Sequence, residues 1–126
     1  AIHQKTGIGR LSAYCGAVTA GAACAAAITY MKGGSYEQVC GTIVNTLGTV
    51  SGILCDGAKQ SCAAKIAAAL DSALFSHELA MDGNFFAGGD GVVKDDIEKT
   101  IAGIGVVAAQ GMHKTDEVVL QVMLKD

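Results

Sequence analysis

The chain has 126 residues, a length typical of one domain that can bury a substantial core. Its net charge of -3 and pI near 5.5 argue against a nucleic-acid partner, because no basic surface is available to neutralise phosphates. Hydrophobic residues make up 51% of the chain and aromatic residues only 5%, so small aliphatic side chains dominate and predict closely approaching helices. The chain starts at Ala1 rather than at an initiator methionine, and we therefore expect it to be part of a longer protein.

The chain contains five cysteines: Cys15, Cys24, Cys40, Cys55 and Cys62. Their odd number and their scatter through helical segments are not typical of a disulfide framework, so we predict reduced thiols and a cytoplasmic location. Each cysteine can be either a small buried hydrophobic residue or a ligand.

The first predicted helix covers residues 11–31, which carry no charge and lie between Arg10 and Lys32. The segment is long enough to cross a bilayer, but it consists mostly of Ala, Gly, Ser, Thr and Cys, which do not favour insertion. We therefore predict a core helix and no membrane partner. Cys15 and Cys24 are nine positions apart, which predicts opposite faces of this helix. The two glycines after Lys32 predict its end.

A second helix is predicted to start after Ser35, because Ser35 and Gln38 have the spacing of a capping box. It ends between residues 47 and 50. Asn45 and Thr46 are polar residues within this apolar run. They can bind a ligand or satisfy a hydrogen bond to the backbone, and the sequence leaves both interpretations open.

The sequence Cys-Asp-Gly-Ala-Lys at 55–59 predicts a turn, because Asp-Gly is a strong turn signal. The third helix is predicted from residues 58–60 to about residue 79, with Cys62 in its first turn. Asp56 can serve as the N-cap of this helix, and Lys59 can be solvated or can bind a ligand.

Residues 81–91 form a glycine-rich segment that contains Asp90 and interrupts the helical pattern. It lacks the glycine spacing and the Lys-Ser/Thr pair of phosphate-binding loops, so we predict a lid or a packing loop.

The remaining sequence predicts two more helices. Asp95 or Asp96 caps a helix over residues 97–109, Gly111 ends it, and Thr115 caps a last helix to about residue 124.

His77 and His113 are isolated from other metal-binding side chains in the sequence and are predicted at the surface or at helix ends. No segment shows strand alternation. Residues 1–126 are therefore predicted to form a single all-α domain, a compact bundle of about five closely packed helices.

Cys15, Cys55 and Cys62 are the three cysteines that we combine into one candidate site. Structural zinc sites usually contain closely spaced C-x2-4-C pairs, and disulfide exchange usually relies on a C-x-x-C motif. Neither pattern occurs in this sequence. Three cysteines without an obvious fourth suit an iron–sulfur cluster with one open iron. Spacing alone does not decide between a cluster, zinc and simple packing.

The chain resembles the C-terminal part of the L-cysteine desulfidase branch of the serine dehydratase alpha-chain-like family. The resemblance runs over nearly the whole chain and rests on RLSAYCGAVTAGAA, IVNTLGTVSGILCDGAKQSCAAKIAAALDSA, GDGVVKDDIEKTIAGIG and GMHKTDEVVLQVM. It implies a fragment of a larger catalytic domain in which Cys15, Cys55 and Cys62 hold a [4Fe-4S] cluster. Cys24 and Cys40 fall outside the pattern and are assigned to packing.

The resemblance also implies conversion of L-cysteine to pyruvate, ammonia and sulfide by β-elimination. The open iron would act as a Lewis acid in place of pyridoxal phosphate. No residue stands out as the base, which we expect from the missing N-terminal portion of the same chain. L-Serine dehydratase is the alternative, but its alpha chains have a Cys-Asp-Pro turn where this chain has Cys55-Asp56-Gly57.

The candidate substrate-binding residues are Lys59, Ser61, Asn45, Thr46 and Asp90. Lys59 and Ser61 are the preferred partners of the substrate carboxylate. The cluster is expected to be absent from a fragment handled in air. A non-catalytic helical interaction module and a structural metal domain are the alternatives from other classes, and a homo-oligomer is compatible with each of them.

Overall fold

The computed structural model describes residues 12–125, and within them all regular secondary structure is helical. The five α-helices are α1 (Gly16–Met31), α2 (Tyr36–Val50), α3 (Gln60–Met81), α4 (Ile97–Val106) and α5 (Met112–Met123). A π-helical segment, Val107–Gly111, joins α4 directly to α5. The prediction of an all-α compact bundle of about five helices is confirmed.

The helix ends follow local sequence signals. Ser35 caps α2 by accepting a hydrogen bond from the backbone of Gln38, and the Gln38 side chain accepts one from the Ser35 backbone, so the predicted capping box is confirmed. Asp96 caps α4 through the backbone N–H of Lys99. Gly33 follows α1 with φ +80°, a left-handed conformation that favours glycine.

The first helix is shorter at its start than predicted. The predicted residue 11 lies outside the described residues, and the helix begins at Gly16. Cys15 is its N-cap residue, with an extended backbone at φ -75° and ψ 122°. Cys15 therefore does not belong to the regular helical turn, and helical periodicity does not set the direction of its side chain.

The helices α1, α2 and α3 pack against one another through small side chains. Gly21 of α1 lies so close to α3 that an added Cβ would stand 3.1 Å from the backbone oxygen of Ala69. A second cluster of buried side chains joins α1 and α2 to the C-terminal helices, with Val18, Leu47 and Ile104 at its centre. Small residues therefore allow the close helix contacts that the composition predicts.

His77 is buried in the bundle, which contradicts its predicted place at the surface or at a helix end. Its Nδ1 lies 2.8 Å from Thr29 Oγ1, and Thr29 Oγ1 lies 2.8 Å from Thr42 Oγ1. These side chains belong to α3, α1 and α2, respectively. Thr29 is thus the centre of a polar contact between three helices to which His77 contributes from α3, and the isolated position of His77 in the sequence gave no indication of these partners.

The predicted break at Gly111 does not occur. Gly111 keeps a helical backbone with φ -67°, and Thr115 donates a hydrogen bond to its carbonyl inside the continuing helix instead of capping a new one. Glycine permits a helix to end but does not require it. None of the helices within residues 12–125 combines the length and the hydropathy that a membrane crossing needs.

Candidate functional site

The three cysteines singled out from the sequence line one cavity. It has a volume of about 440 Å³ and lies between the starts of α1 and α3. Cys15, Cys55 and Cys62 contribute to its wall, and the other lining residues are Cys24 and small or aliphatic residues, among them Ile66 and Leu70. Four sulfur-bearing side chains thus meet an otherwise apolar surface.

Cys15 and Cys55 are placed by a short antiparallel backbone contact. The backbone N–H of Cys55 donates to Ala13 O at 2.7 Å, and that of Cys15 donates to Ile53 O at 3.3 Å. Between them, Tyr14 and Leu54 form an isolated β-bridge. Residues some forty positions apart in the chain are therefore held side by side by main-chain hydrogen bonds.

Tyr14 is the buried residue directly before Cys15 in the chain. Its ring is buried, and burial raises the pKa of its phenol, with a smaller opposing effect from the hydroxyl of Ser51. The phenol oxygen lies 3.4 Å from Ser51 Oγ. The side chain therefore stays protonated at neutral pH and adds no negative charge beside the thiol.

Cys62 lies in the first turn of α3, as predicted. Its backbone N–H donates to Lys59 O at 2.9 Å, and Lys59 is the N-cap residue, without a side-chain cap. Asp56 is thus not the cap that the sequence suggested as one alternative. It forms an ion pair with Lys65, and the hydrogen bond from that ammonium lowers the pKa of the Asp56 carboxyl. Gly57 completes the turn with φ +112°, a conformation suited to glycine.

Cys24 also lines the cavity, although the nine-residue spacing from Cys15 predicts opposite faces of one helix. The prediction fails because Cys15 is extended rather than helical. The helix rises by about 12 Å over the eight residues from Gly16 to Cys24, so Cys24 lies farther along α1 than Cys15. Cys40 lies elsewhere and lines a separate cavity of about 450 Å³ near Tyr36 and Phe85.

The five predicted substrate-binding residues are not brought together. Lys59 and Ser61 are exposed at the start of α3, next to Cys62 in the chain. Asn45 is fully buried, and its amide donates to Asn84 O at 2.9 Å and accepts from the backbone N–H of Phe86 at 2.9 Å. Asn45 therefore fastens the glycine-rich loop to α2.

Thr46 and Asp90 also lie away from the cysteine cavity. Thr46 is fully buried and donates to Thr42 O at 2.7 Å. Asp90 is exposed in a turn of the glycine-rich loop, where its carbonyl accepts a hydrogen bond from the backbone N–H of Val93. Neither side chain is among those that line the cavity.

The donor set of the cavity matches the thiolate ligands that iron–sulfur clusters use, and all five cysteines are free. A single zinc ion needs its ligands around one centre. Over residues 12–125, no three His, Cys, Asp or Glu side chains are grouped tightly enough to hold one ion. Thiolates of a [4Fe-4S] cluster bind different irons and stand farther apart than the ligands of a single zinc ion.

Comparison with known proteins places the chain in a family. The family model described as serine dehydratase alpha chain matches residues 1–121. The chain belongs to the serine dehydratase alpha chain family. This confirms the resemblance to the serine dehydratase alpha-chain-like family that the CDGAK segment and its neighbours indicated.

The relatives that the chain matches are much longer than this chain. It is 98% identical over 126 residues to a UPF0597 protein of Treponema denticola, covering 100% of this chain and 29% of the relative. It is 57% identical over 124 residues to a UPF0597 protein of Lachnoclostridium phytofermentans, covering 98% and 30%. A UPF0597 protein of Fusobacterium nucleatum is 51% identical over 124 residues, covering 98% and 29%. The chain thus spans less than a third of these relatives, and no solved structure matches it.

Proposed function

We propose that the full-length protein is an iron–sulfur-dependent lyase that converts L-cysteine to pyruvate, ammonia and sulfide. The observation that supports it most is the convergence of Cys15, Cys55 and Cys62 on one apolar cavity. Membership of the serine dehydratase alpha chain family supports the reaction class, β-elimination from a small amino acid.

In this proposal, Cys15, Cys55 and Cys62 hold a [4Fe-4S] cluster through their thiolates. When bound, the cluster would supply a Lewis-acidic iron with one coordination position left for substrate. The aliphatic side chains of Ile66 and Leu70 line the cavity and would reduce the access of water to the thiols once the rest of the protein covers them. A dry wall strengthens electrostatic contacts to the substrate and protects the thiols from oxidation.

The start of α3 is the proposed binding place of the substrate carboxylate. The first turn of a helix presents unpaired backbone N–H groups and a partial positive charge. Lys59 adds an ammonium group, and Ser61 adds a hydroxyl, and both side chains are exposed beside Cys62. Asn45 and Thr46 already use their polar atoms inside the protein, so we assign the carboxylate to Lys59 and Ser61 alone.

The rest of the full-length protein would complete the site. The outer face of α3 exposes Ile66 by 54% and Leu70 by 38% next to the cavity, and such an apolar surface is typical of an interface. We propose that the remaining part of the protein covers this face and provides the base that removes the α-proton. The proposed location is cytoplasmic, where thiols stay reduced.

L-Serine is the second candidate substrate, and the description of the family favours it. The Cys55-Asp56-Gly57 turn, which differs from the Cys-Asp-Pro turn of serine dehydratases, favours L-cysteine. Both reactions break the bond between Cβ and its substituent after loss of the α-proton. The rates of pyruvate release from the two substrates can therefore be compared directly.

The test uses the full-length protein purified without oxygen. We expect about four irons and four sulfides per chain, as a [4Fe-4S] cluster requires, and release of equal amounts of pyruvate and sulfide from L-cysteine. Cys55→Ser should remove iron and activity, whereas Cys40→Ser, in the separate cavity, should preserve both. An iron-free protein that remains active would refute the proposal. Faster pyruvate release from L-serine than from L-cysteine would assign serine as the substrate.

A further inference from the structure

The end of α3 that carries Cys62 is not held by buried side chains. No residue from Gln60 to Ala68 is buried, and the first buried residue of this helix is Ala69. The helix is therefore anchored in the bundle from its third turn onward. The position of the Cys62 thiol depends on what else holds this end.

The opposite wall of the cavity is anchored more firmly. Main-chain hydrogen bonds join Cys55 to Ala13 and Cys15 to Ile53, as described above. Only the four residues 56–59 connect Cys55 to α3, and they include Gly57 with its positive φ. A short connection of this kind limits the distance between Cys55 and Cys62, but it does not fix their relative orientation.

An ion pair joins the segment that carries Cys55 to the start of α3, which carries Cys62. The carboxylate of Asp56, directly after Cys55, contacts the ammonium of Lys65, three residues after Cys62. The side chains are 35% and 24% exposed, respectively, so the contact is partly shielded from solvent. Residues three apart on a helix share a face, and Lys65 therefore reaches the turn from the same side as Cys62.

We propose that the Asp56–Lys65 pair is a positioning clamp that holds the thiols of Cys55 and Cys62 at a fixed separation. The role of the clamp rests on the proposed function, because its purpose is to keep two cluster ligands in position to bind iron. Neither residue needs to contact the cluster or the substrate for this role. The effect on the two thiols can be measured in protein that contains no iron.

The experiment measures the proximity of the two thiols directly. The reduced, iron-free, full-length protein is treated with the bifunctional reagent dibromobimane, and the rate of Cys55–Cys62 cross-linking is followed by fluorescence and peptide mass spectrometry. Asp56→Asn and Lys65→Gln should each lower this rate about two- to fivefold, the effect expected from a partly exposed ion pair. The monofunctional reagent monobromobimane should label each thiol at an unchanged rate.

Two further variants separate the clamp from a general loss of structure. The charge exchange Asp56→Lys with Lys65→Asp restores an ion pair and should recover most of the cross-linking rate. Lys114→Gln removes the ion pair with Glu117 on α5, two residues that do not line the cavity, and should leave the rate unchanged.

Equal cross-linking rates in the wild type and both single variants would overturn the clamp, whether or not the protein binds iron. A reduced rate that the charge exchange does not recover would also overturn it. If the rates change as expected but reconstitution yields no bound iron, the clamp stands and the proposed cluster function fails. If reconstitution yields bound iron but the variants cross-link at the wild-type rate, the proposed cluster function stands and the clamp fails.

Discussion

Thr29→Val tests the polar contact that joins α1, α2 and α3. The Thr29 hydroxyl lies 2.9 Å from Ala25 O, 2.8 Å from Thr42 Oγ1 and 2.8 Å from His77 Nδ1. Valine keeps the shape of the side chain but removes the hydroxyl. Thr42 retains its hydrogen bond to Gln38 O, whereas His77 Nδ1 loses its hydrogen-bond partner in a place where the residue is only 4% exposed. An unsatisfied buried polar group of this kind costs about 1–3 kcal/mol of the free energy of unfolding.

The measurement is urea denaturation of this chain followed by far-UV circular dichroism. Thr49→Val is the matched control, because the Thr49 hydroxyl donates only to Asn45 O within its own helix and the residue is exposed. Its free energy of unfolding should change by no more than about 0.5 kcal/mol. If Thr29→Val costs no more than Thr49→Val, the Thr29–His77 contact does not stabilise the bundle.

Four further substitutions test the packing and the local signals by the same measurement. Gly41→Ala places a Cβ 2.2 Å from Cδ1 of the Phe85 ring and should lower the free energy of unfolding by about 1–3 kcal/mol, while Gly103→Ala meets no atom within 4 Å and should raise it by up to about 1 kcal/mol. A stabilising Gly41→Ala would show that Phe85 does not pack on α2. Ser35→Ala removes the capping box and should cost about 1 kcal/mol, and an unchanged stability would mean that this cap is not formed in solution. Asn45→Ala should destabilise the chain by about 1–3 kcal/mol and increase proteolysis of the glycine-rich loop; a stable, protected variant would return Asn45 to the candidate ligands.

Most of the helices could be predicted from the sequence because their signals are local. The capping box at Ser35, the glycines after Lys32 and the cap at Asp96 each act within one helical turn, and the structure has all three. The break predicted at Gly111 was wrong because glycine also fits a helix, and the chain continues through a π-helical segment. Local preference does not decide such a position when the helix can extend on both sides.

For the candidate site, too, some features follow from the sequence and others only from the tertiary structure. The sequence by itself determined an all-helical chain, its free thiols and, through motif resemblance, the choice of Cys15, Cys55 and Cys62. Only the tertiary structure decided that these three line one cavity, because their approach depends on main-chain hydrogen bonds between segments about forty residues apart. The burial of His77 and the pairing of Asp56 with Lys65 likewise depend on contacts between helices and loops, which no periodicity within a single segment encodes.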